Sequence, residues 1–330
     1  MTTKIFRAIA EDRPGDAWRE RFQASWPGVR EWYLKDGDAA RPSLAACARA
    51  FDRHMPELKP MWRHLCHLAG DDHLAHRMLG MWSPPNVFSG CSVAVTTDGE
   101  PVLMRYYDFD LSFTGSIILR SDWSGRAVIG LNEGAWGLLD GMNADGLVCC
   151  LTFGGRPVCG KGFSVILVVR YILETCRSAA EAKAVLLRLR THLQQNVVVL
   201  DRSGDHFTAL MAPDRATRIW QTSVTTNHPE TVEWPEHAAG SRSVERLTHL
   251  QGRLGRPDLG DAFFEPPVYK PLSGDFATVY TAVYMPARGA VVYRWPGHEM
   301  AQSFAAFTPG EVAVEYAAGA RARVATARAA

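Results

Sequence analysis

The chain has 330 residues, 47% hydrophobic and 22% charged, the balance of an ordinary globular protein with room for one large domain or two smaller ones. Its 36 basic and 35 acidic side chains leave a formal net charge of +1, which removes the electrostatic case for nucleic acid or an anionic membrane as partner. No apolar run reaches the length of a membrane span, and the opening Met1-Thr2-Thr3-Lys4-Ile5-Phe6-Arg7 lacks the apolar core of a secretory signal, so the expected location is the cytoplasm.

In chain order, residues 1–90 read as helical. Trp18–Trp26, Leu44–Met55, Leu58–Leu68 and His73–Met81 carry apolar residues at helical spacing, broken by Pro27-Gly28, Pro42, Pro56 and Gly70. After Pro84-Pro85 come short runs rich in β-branched, aromatic and aliphatic residues, at 91–97, 101–108, 116–121, 126–131, 136–140 and 146–153. Turn signals such as Asp98-Gly99, Ser124-Gly125 and Asn143-Ala144-Asp145-Gly146 separate them. Two helices follow, over Phe163–Cys176 and from the capping box Ser178-Ala179-Ala180-Glu181 to about Arg190. Strands resume at Asn196–Leu200, Phe207–Met211 and Thr217–Gln221. A helix over Ser243–Leu254 precedes a hairpin of Thr278–Tyr284 and Ala290–Trp295. The tail, 317–330, is rich in Ala and Arg and is expected to fray. Strands, then helices, then strands again argue for an α+β fold of antiparallel sheets with segregated helices.

The chemistry-bearing signal is Gly90-Cys91, a Gly–Cys step at the head of a strand. Were the chain to cut itself there, Cys91 would carry a thiol and a free α-amine with a pKa near neutrality, so nucleophile and base would share one residue. Glycine at the scissile carbonyl minimises crowding for the attack. On the next strand, Asp108 is placed to orient the amine, and Arg105 to lower the thiol pKa and hold the carboxylate. A two-residue Asp98-Gly99 turn would pair Cys91 with Tyr106, putting Asp108 on the cysteine's face and Arg105 on the other. Both can serve Cys91 only if the Arg-x-x-Asp stretch is irregular, and that irregularity is expected.

Gly90-Cys91, Arg105-x-x-Asp108, the Gly141–Leu147 turn, Thr226-Asn227-His228-Pro229 and Ser241-Arg242 occur in that order. The set resembles the N-terminal-nucleophile hydrolases of the acyl-coenzyme A:isopenicillin N acyltransferase type, with the choloylglycine hydrolases as relatives. The resemblance covers most of residues 90–300. It implies a four-layer αββα sandwich over 91–316, preceded by a helical pro-segment, 1–90, that stays bound as a small subunit after self-cleavage. It implies attack on a linear amide or thioester through an acyl-Cys91 intermediate, ending in hydrolysis or transfer to an amine. By the same resemblance Arg105 and Asp108 orient the nucleophile, Asn227 is an oxyanion-hole donor and Arg242 supports the site. Where choloylglycine hydrolases carry a second asparagine, this chain has Thr152 in Cys150-Leu151-Thr152-Phe153, which favours the acyltransferase-like branch. Asn143 and His228 are assigned to the pocket wall or its support. The alternative reading is an unprocessed, catalytically silent homologue that acts by binding.

Other signals carry less. Gly155-x4-Gly160-Lys161 has the spacing of a phosphate loop, but Gly162 stands where a magnesium-holding Ser or Thr belongs and Pro157 removes a donor. A loop beside the acyl pocket is the expected role, with Lys161 a candidate phosphate contact should the acyl donor be a coenzyme A thioester. No cofactor is expected beyond that substrate. His64, Cys66, His67, Asp72, His73 and His76 crowd one stretch, but Gly70 splits them and no metal is expected. The other cysteines of the seven, Cys47, Cys66, Cys149, Cys150, Cys159 and Cys176, are read as inert thiols.

Overall fold

The computed structural model describes residues 1–319, so most of the Ala/Arg-rich tail lies outside the described residues. A strand, β1 (Thr2–Glu11), precedes four helices, α1 (Asp16–Tyr33), α2 (Leu44–His54), α3 (Lys59–Ala69) and α4 (His73–Leu79). Six strands follow: β2 (Gly90–Thr96), β3 (Val102–Asp110), β4 (Ile117–Ser121), β5 (Val128–Glu133), β6 (Gly137–Asn143) and β7 (Val148–Phe153). Next come α5 (Val165–Thr175) and α6 (Ala179–Arg188), then β8 (Gln195–Leu200), β9 (His206–Met211), β10 (Arg218–Trp220) and β11 (Val224–Thr225). The last part holds α7 (Pro235–Gly240), α8 (Ser243–Gln251), α9 (Leu259–Ala262), β12 (Phe276–Met285), β13 (Ala290–Trp295), β14 (His298–Ser303) and β15 (Gly310–Tyr316).

The helix starts obey local chemistry. Ser43 and Ser178 accept backbone N–H groups at the N-termini of α2 and α6, and Glu181 reaches back to the Arg177 N–H. Asp72 caps α4 through Oδ1 while its Oδ2 accepts the Trp26 indole N–H at 2.8 Å, tying α1 to α4.

The strands form two sheets. One has nine strands in the order β10-β9-β8-β7-β6-β5-β4-β1-β15, and the other six, in the order β11-β2-β3-β12-β13-β14. All named pairs are antiparallel except β1 with β4. Helices α5 and α6 lie on β6 to β9, α8 lies on β2 and β11, and β2 packs against β7 between the sheets. The layers therefore run helix, sheet, sheet, helix, and the fold is α+β as expected. The apolar core fills the space between the sheets and beneath α5, whose Leu167, Val168, Val169, Ile172 and Leu173 are all buried.

Two expectations about the N-terminal half need correction. The segment 1–90 is not wholly helical, because residues 2–11 form β1, held between β15 and β4 in the nine-stranded sheet. The run Ile5-Phe6 and Ala8-Ile9-Ala10 puts apolar residues on both faces, so no period-two alternation betrays the strand. The β2–β3 connection is also longer than a two-residue turn, spanning 97–101, and the register moves by one. Cys91 now pairs with Tyr107 and Gly90 with Asp108. A one-residue slip exchanges the faces, so Arg105 lies on the face of Cys91 and Asp108 on the other. The β2–β3 ladder is unbroken. The irregularity sits instead on β12, whose register against β3 shifts between Thr278 and Tyr280, opposite Asp108 and Tyr107.

Candidate active site

Cys91 is fully buried at the second position of β2, between the two sheets. Burial pushes its thiol pKa up, while the nearby Arg105 guanidinium pulls it back towards the thiolate. Arg105 Nη2 lies 3.7 Å from Cys91 Sγ, and Ser89 Oγ lies 3.8 Å from it on the other side. Arg105 therefore lies next to the sulfur, but the carboxylate it pairs with is Asp140 on β6, not Asp108. Arg105 Nη1 meets Asp140 Oδ2 at 2.6 Å, with both side chains fully buried. Tyr280 and Tyr284 hydroxyls donate to the two oxygens of Asp140, and the Arg105 guanidinium sits over the Tyr107 ring, 4.8 Å from its centre. A buried arginine needs such a counter-ion, and the tyrosines complete the carboxylate's shell.

Asp108 lies beneath Gly90. A Cβ placed on Gly90 would stand 2.8 Å from Asp108 Cβ and 2.9 Å from its Oδ2, so only glycine fits without movement. Asp108 Oδ1 accepts the Thr278 hydroxyl at 3.1 Å, and Lys270 Nζ lies 3.4 Å from Oδ2. Burial raises its carboxyl pKa, with Lys270 and Arg246 opposing.

Asn227 reaches Cys91, though not in the expected sense. Its Oδ1 accepts the Cys91 backbone N–H at 3.0 Å and also an N–H of Arg246 at 2.7 Å. Two donors converge on that atom, which identifies it as the oxygen. Nδ2 donates to the Phe153 carbonyl at 3.3 Å. Gly155, at φ +76°, lets the following loop lie directly on the Asn227 backbone, where a Cβ would come within 2.5 Å of the Asn227 carbonyl oxygen.

The arginine that supports the site is Arg246, one helical turn beyond the residue expected. Arg246 is fully buried on α8; its Nη1 bonds the Cys91 carbonyl at 2.7 Å and Ser92 Oγ at 2.9 Å. Arg242 instead stands at the start of that helix with φ +54°, its exposed side chain paired to Glu245. The side chain of a helix's flanking residue points away from the core, whereas position 246 faces β2. Four residues apart, the two would share one face of a continuous helix, and what separates them is the left-handed backbone of Arg242, which lies outside Ser243–Gln251.

The remaining expected pocket residues are structural. Thr152 donates to the Thr226 carbonyl at 2.8 Å, and Asn196 donates to Thr152 Oγ1 and the Thr226 and His228 carbonyls, bracing the loop that carries Asn227. His228 Nδ1 lies 2.6 Å from Ser243 Oγ, with its pKa lowered by burial and then by Arg246. Asn143 is far from this cluster in role: its Nδ2 donates to the Leu173 and Cys176 carbonyls at the end of α5 and its Oδ1 accepts the Asp145 and Leu147 N–H groups. Lys161 is exposed in the 155–162 loop. Among the described residues no group of three or more His, Cys, Asp or Glu side chains is placed to hold a metal, and no helix is long and apolar enough to cross a membrane.

Beside Cys91 opens a cavity of about 970 Å³. Ser89, Tyr107 and Leu151, each in contact with the Cys91–Arg105 cluster, line its inner end, and Trp18, Phe22, Trp32, Met78 and Met81 from the N-terminal segment line the facing wall.

Sequence comparison gives the family to which this fold belongs. Residues 95–298 match the acyl-coenzyme A:6-aminopenicillanic acid acyl-transferase family, more than half of the chain, and the chain belongs to that family. The match begins after Cys91. No curated protein sequence matches. Among solved structures, a mutant conjugated bile acid hydrolase from Clostridium perfringens superposes with a TM-score of 0.46 at 14% identity, covering 68% of this chain and 96% of that one. Penicillin V acylase from Agrobacterium tumefaciens gives 0.45 at 14% identity, covering 66% and 86%. A Caenorhabditis elegans N-acylethanolamine-hydrolyzing acid amidase ortholog gives 0.45 at 16% identity, covering 60% and 93%.

Proposed function

We infer that this amidohydrolase/acyltransferase-type chain uses Cys91 as its nucleophile, cuts its own Gly90–Cys91 bond, and then acts on amide or thioester carbonyls through an acyl-Cys91 intermediate. The observation that carries this reading is the convergence on one residue: Asn227 on the Cys91 nitrogen, Arg246 on its carbonyl and Arg105 near its sulfur. Residues 1–90 would remain associated after the cut, since β1 is part of the nine-stranded sheet and Phe51 packs on Trp136 and Phe163.

In self-cleavage, Sγ attacks the Gly90 carbonyl carbon. The new C–S bond replaces the C–N bond, and the thiol proton ends on the Cys91 nitrogen. Water then hydrolyses the thioester, leaving a Gly90 carboxylate and a free Cys91 amine and thiol. Asn227 Oδ1, which already accepts the Cys91 N–H, holds that nitrogen throughout and later orients the amine. In turnover the amine takes the thiol proton, Sγ attacks the substrate carbonyl, and the departing amine or thiol is reprotonated. The acyl group then passes to water or to an acceptor amine. Arg105 favours the thiolate in both reactions.

Denaturing electrophoresis with intact mass measurement tests this. Two fragments meeting at 90/91 are expected from the wild type and a single chain from Cys91→Ala. A wild-type chain that stays intact and inactive would leave the silent, binding homologue as the answer, and a Cys91→Ala chain that still splits there would refute autocatalysis.

A further inference from the structure

The cavity beside Cys91 has two features that the nucleophile reading does not use. The first is its wall. On α1 the lining residues are Trp18, Phe22, Ser25, Val29 and Trp32, a four-three-four-three spacing that is one face of the helix. Trp18 and Phe22 at one end of that face belong to the buried core, and the face also borders the empty space that Tyr107, Phe109 and Leu139 line. Of the charged groups in the lining, Arg21 holds both oxygens of Glu11, Glu133 accepts the Gly115 N–H at 2.7 Å and Lys35 donates to the Asn86 carbonyl, which leaves Glu31 with no ion pair among the described residues. Val87 and the largely exposed Phe113 stand at the mouth. An apolar space of this size matches a large ligand rather than a few waters.

The second feature is polar. Gln195, 4% exposed, lines the cavity, and its Oε1 is buried with no hydrogen-bond partner among the described residues. His192 lines the same cavity, and its Nε2 is also buried with no hydrogen-bond partner among the described residues. Gln195 pairs with Phe153 across β7–β8, two positions from Leu151, whose carbonyl accepts from Arg105. It therefore sits on the stretch of sheet that adjoins the reacting sulfur. A buried amide oxygen left without a donor is costly, and a substrate N–H would relieve it.

We propose that the cavity takes a large apolar acyl group, that the N-terminal segment supplies one wall of this site, and that Gln195 accepts a hydrogen bond from the substrate's amide N–H. The substrate class is then a long-chain or bulky apolar amide in preference to a thioester. This rests on Cys91 being the nucleophile. A site built around a substrate N–H discriminates strongly against an analogue without one, because its own polar group is left unpaired.

The test uses full-length protein, wild type and Gln195→Leu, with the p-nitroanilides of decanoic and acetic acid and the p-nitrothiophenyl thioester of decanoic acid. Wild type is expected to favour decanoyl over acetyl anilide by at least about tenfold in kcat/KM, and Gln195→Leu to lower the amide-to-thioester ratio by about tenfold. Gly28→Phe, whose Cβ meets nothing within 4 Å, should narrow the mouth and raise KM for the decanoyl substrate relative to the acetyl one without disturbing the fold. Calorimetry of decanamide with Cys91→Ala separates the two readings. Binding of decanamide by Cys91→Ala beside a wild type that turns over none of the three substrates would end the nucleophile reading and leave the apolar acyl site standing. Equal use of acetyl and decanoyl substrates, an unchanged amide-to-thioester ratio in Gln195→Leu, or no binding of decanamide would overturn it.

Discussion

Asp140 is the residue on which the site's electrostatics turn, and its replacement by asparagine makes the most searching test. Asp140 and Arg105 are both wholly buried, 2.6 Å apart, and the same carboxylate receives the hydroxyls of Tyr280 and Tyr284. Asparagine keeps the size and one acceptor but removes the charge, leaving the Arg105 guanidinium without a counter-ion in the interior. Breaking a buried pair from one side costs about 3–5 kcal/mol. For a chain of 330 residues, with an unfolding entropy of about 2.1 cal/mol/K per residue, each kcal/mol lowers the melting temperature by about 1.5 °C, so a fall of roughly 4–7 °C is expected in a thermal melt. Arg105 would also lose its fixed aim at Cys91 Sγ, so self-cleavage should slow in the same variant.

A double replacement, Arg105→Met with Asp140→Leu, separates the two effects. With both charges gone the core should recover part of the lost stability, whereas cleavage should stay impaired because the strongest of the groups that favour the thiolate is gone, leaving only Ser89 and the weaker pull of Arg246. Melts and timed denaturing gels on the three proteins decide the matter. An Asp140→Asn protein with wild-type melting temperature and wild-type cleavage would refute the claim that this pair holds the nucleophile's cation in place.

Three further outcomes are expected. Gly90→Ala should slow self-cleavage at least about tenfold and cost about 1–3 kcal/mol, because its Cβ would lie 2.8 Å from Asp108 Cβ; accumulation of intact 36.5 kDa chain on a gel reads it. Arg246→Lys should impair cleavage, since one ammonium cannot span the Cys91 carbonyl, Ser92 Oγ and Asn227 Oδ1, while Arg242→Ala should change stability by less than about 0.5 kcal/mol and leave cleavage intact. Burial lowers the His192 pKa to about 4 in the folded chain. Its neutral form is thus the folded one, so the stability it confers is complete above the ordinary histidine value near 6.5 and is lost as pH falls from there towards 4. The loss amounts to about 3 kcal/mol. Urea titrations at pH 7 and pH 4 should show a smaller stability loss for His192→Gln than for the wild type; equal losses would contradict the assignment.

The four helices of the N-terminal segment, the run of strands from 91 and the helix pair after 163 were legible because each carries an unambiguous period or cap, such as Ser178 with Glu181. The strand over residues 2–11 was not, because Ile5-Phe6 and Ala8-Ile9 load both of its faces and its partners lie more than a hundred residues away at 117–121 and 310–316. The polar strand His298–Ser303 gave no apolar alternation either.

The site divides the same way. Cys91, Arg105 and Asp108, singled out from the sequence, and Asn227, assigned by the resemblance, lie near one another in the structure. What local reasoning lacked was the length of the 97–101 connection, and a single residue there decides which face each strand position occupies. With the register corrected, Arg105 falls on the cysteine's face without any distortion, and Asp108 passes beneath Gly90. The two residues thus part company: Arg105 lies against the sulfur, and Asp108 against Gly90. An arginine so deeply buried then demands an anion, which Asp108 on the opposite face is not placed to provide. That demand, more than any motif, is what singles out Asp140, three strands away in the other sheet. The irregularity on β12 between Thr278 and Tyr280 has the same logic, since it leaves Thr278 bonded to Asp108 and Tyr280 bonded to Asp140. One shifted register therefore serves both carboxylates, one from each face of the sheet.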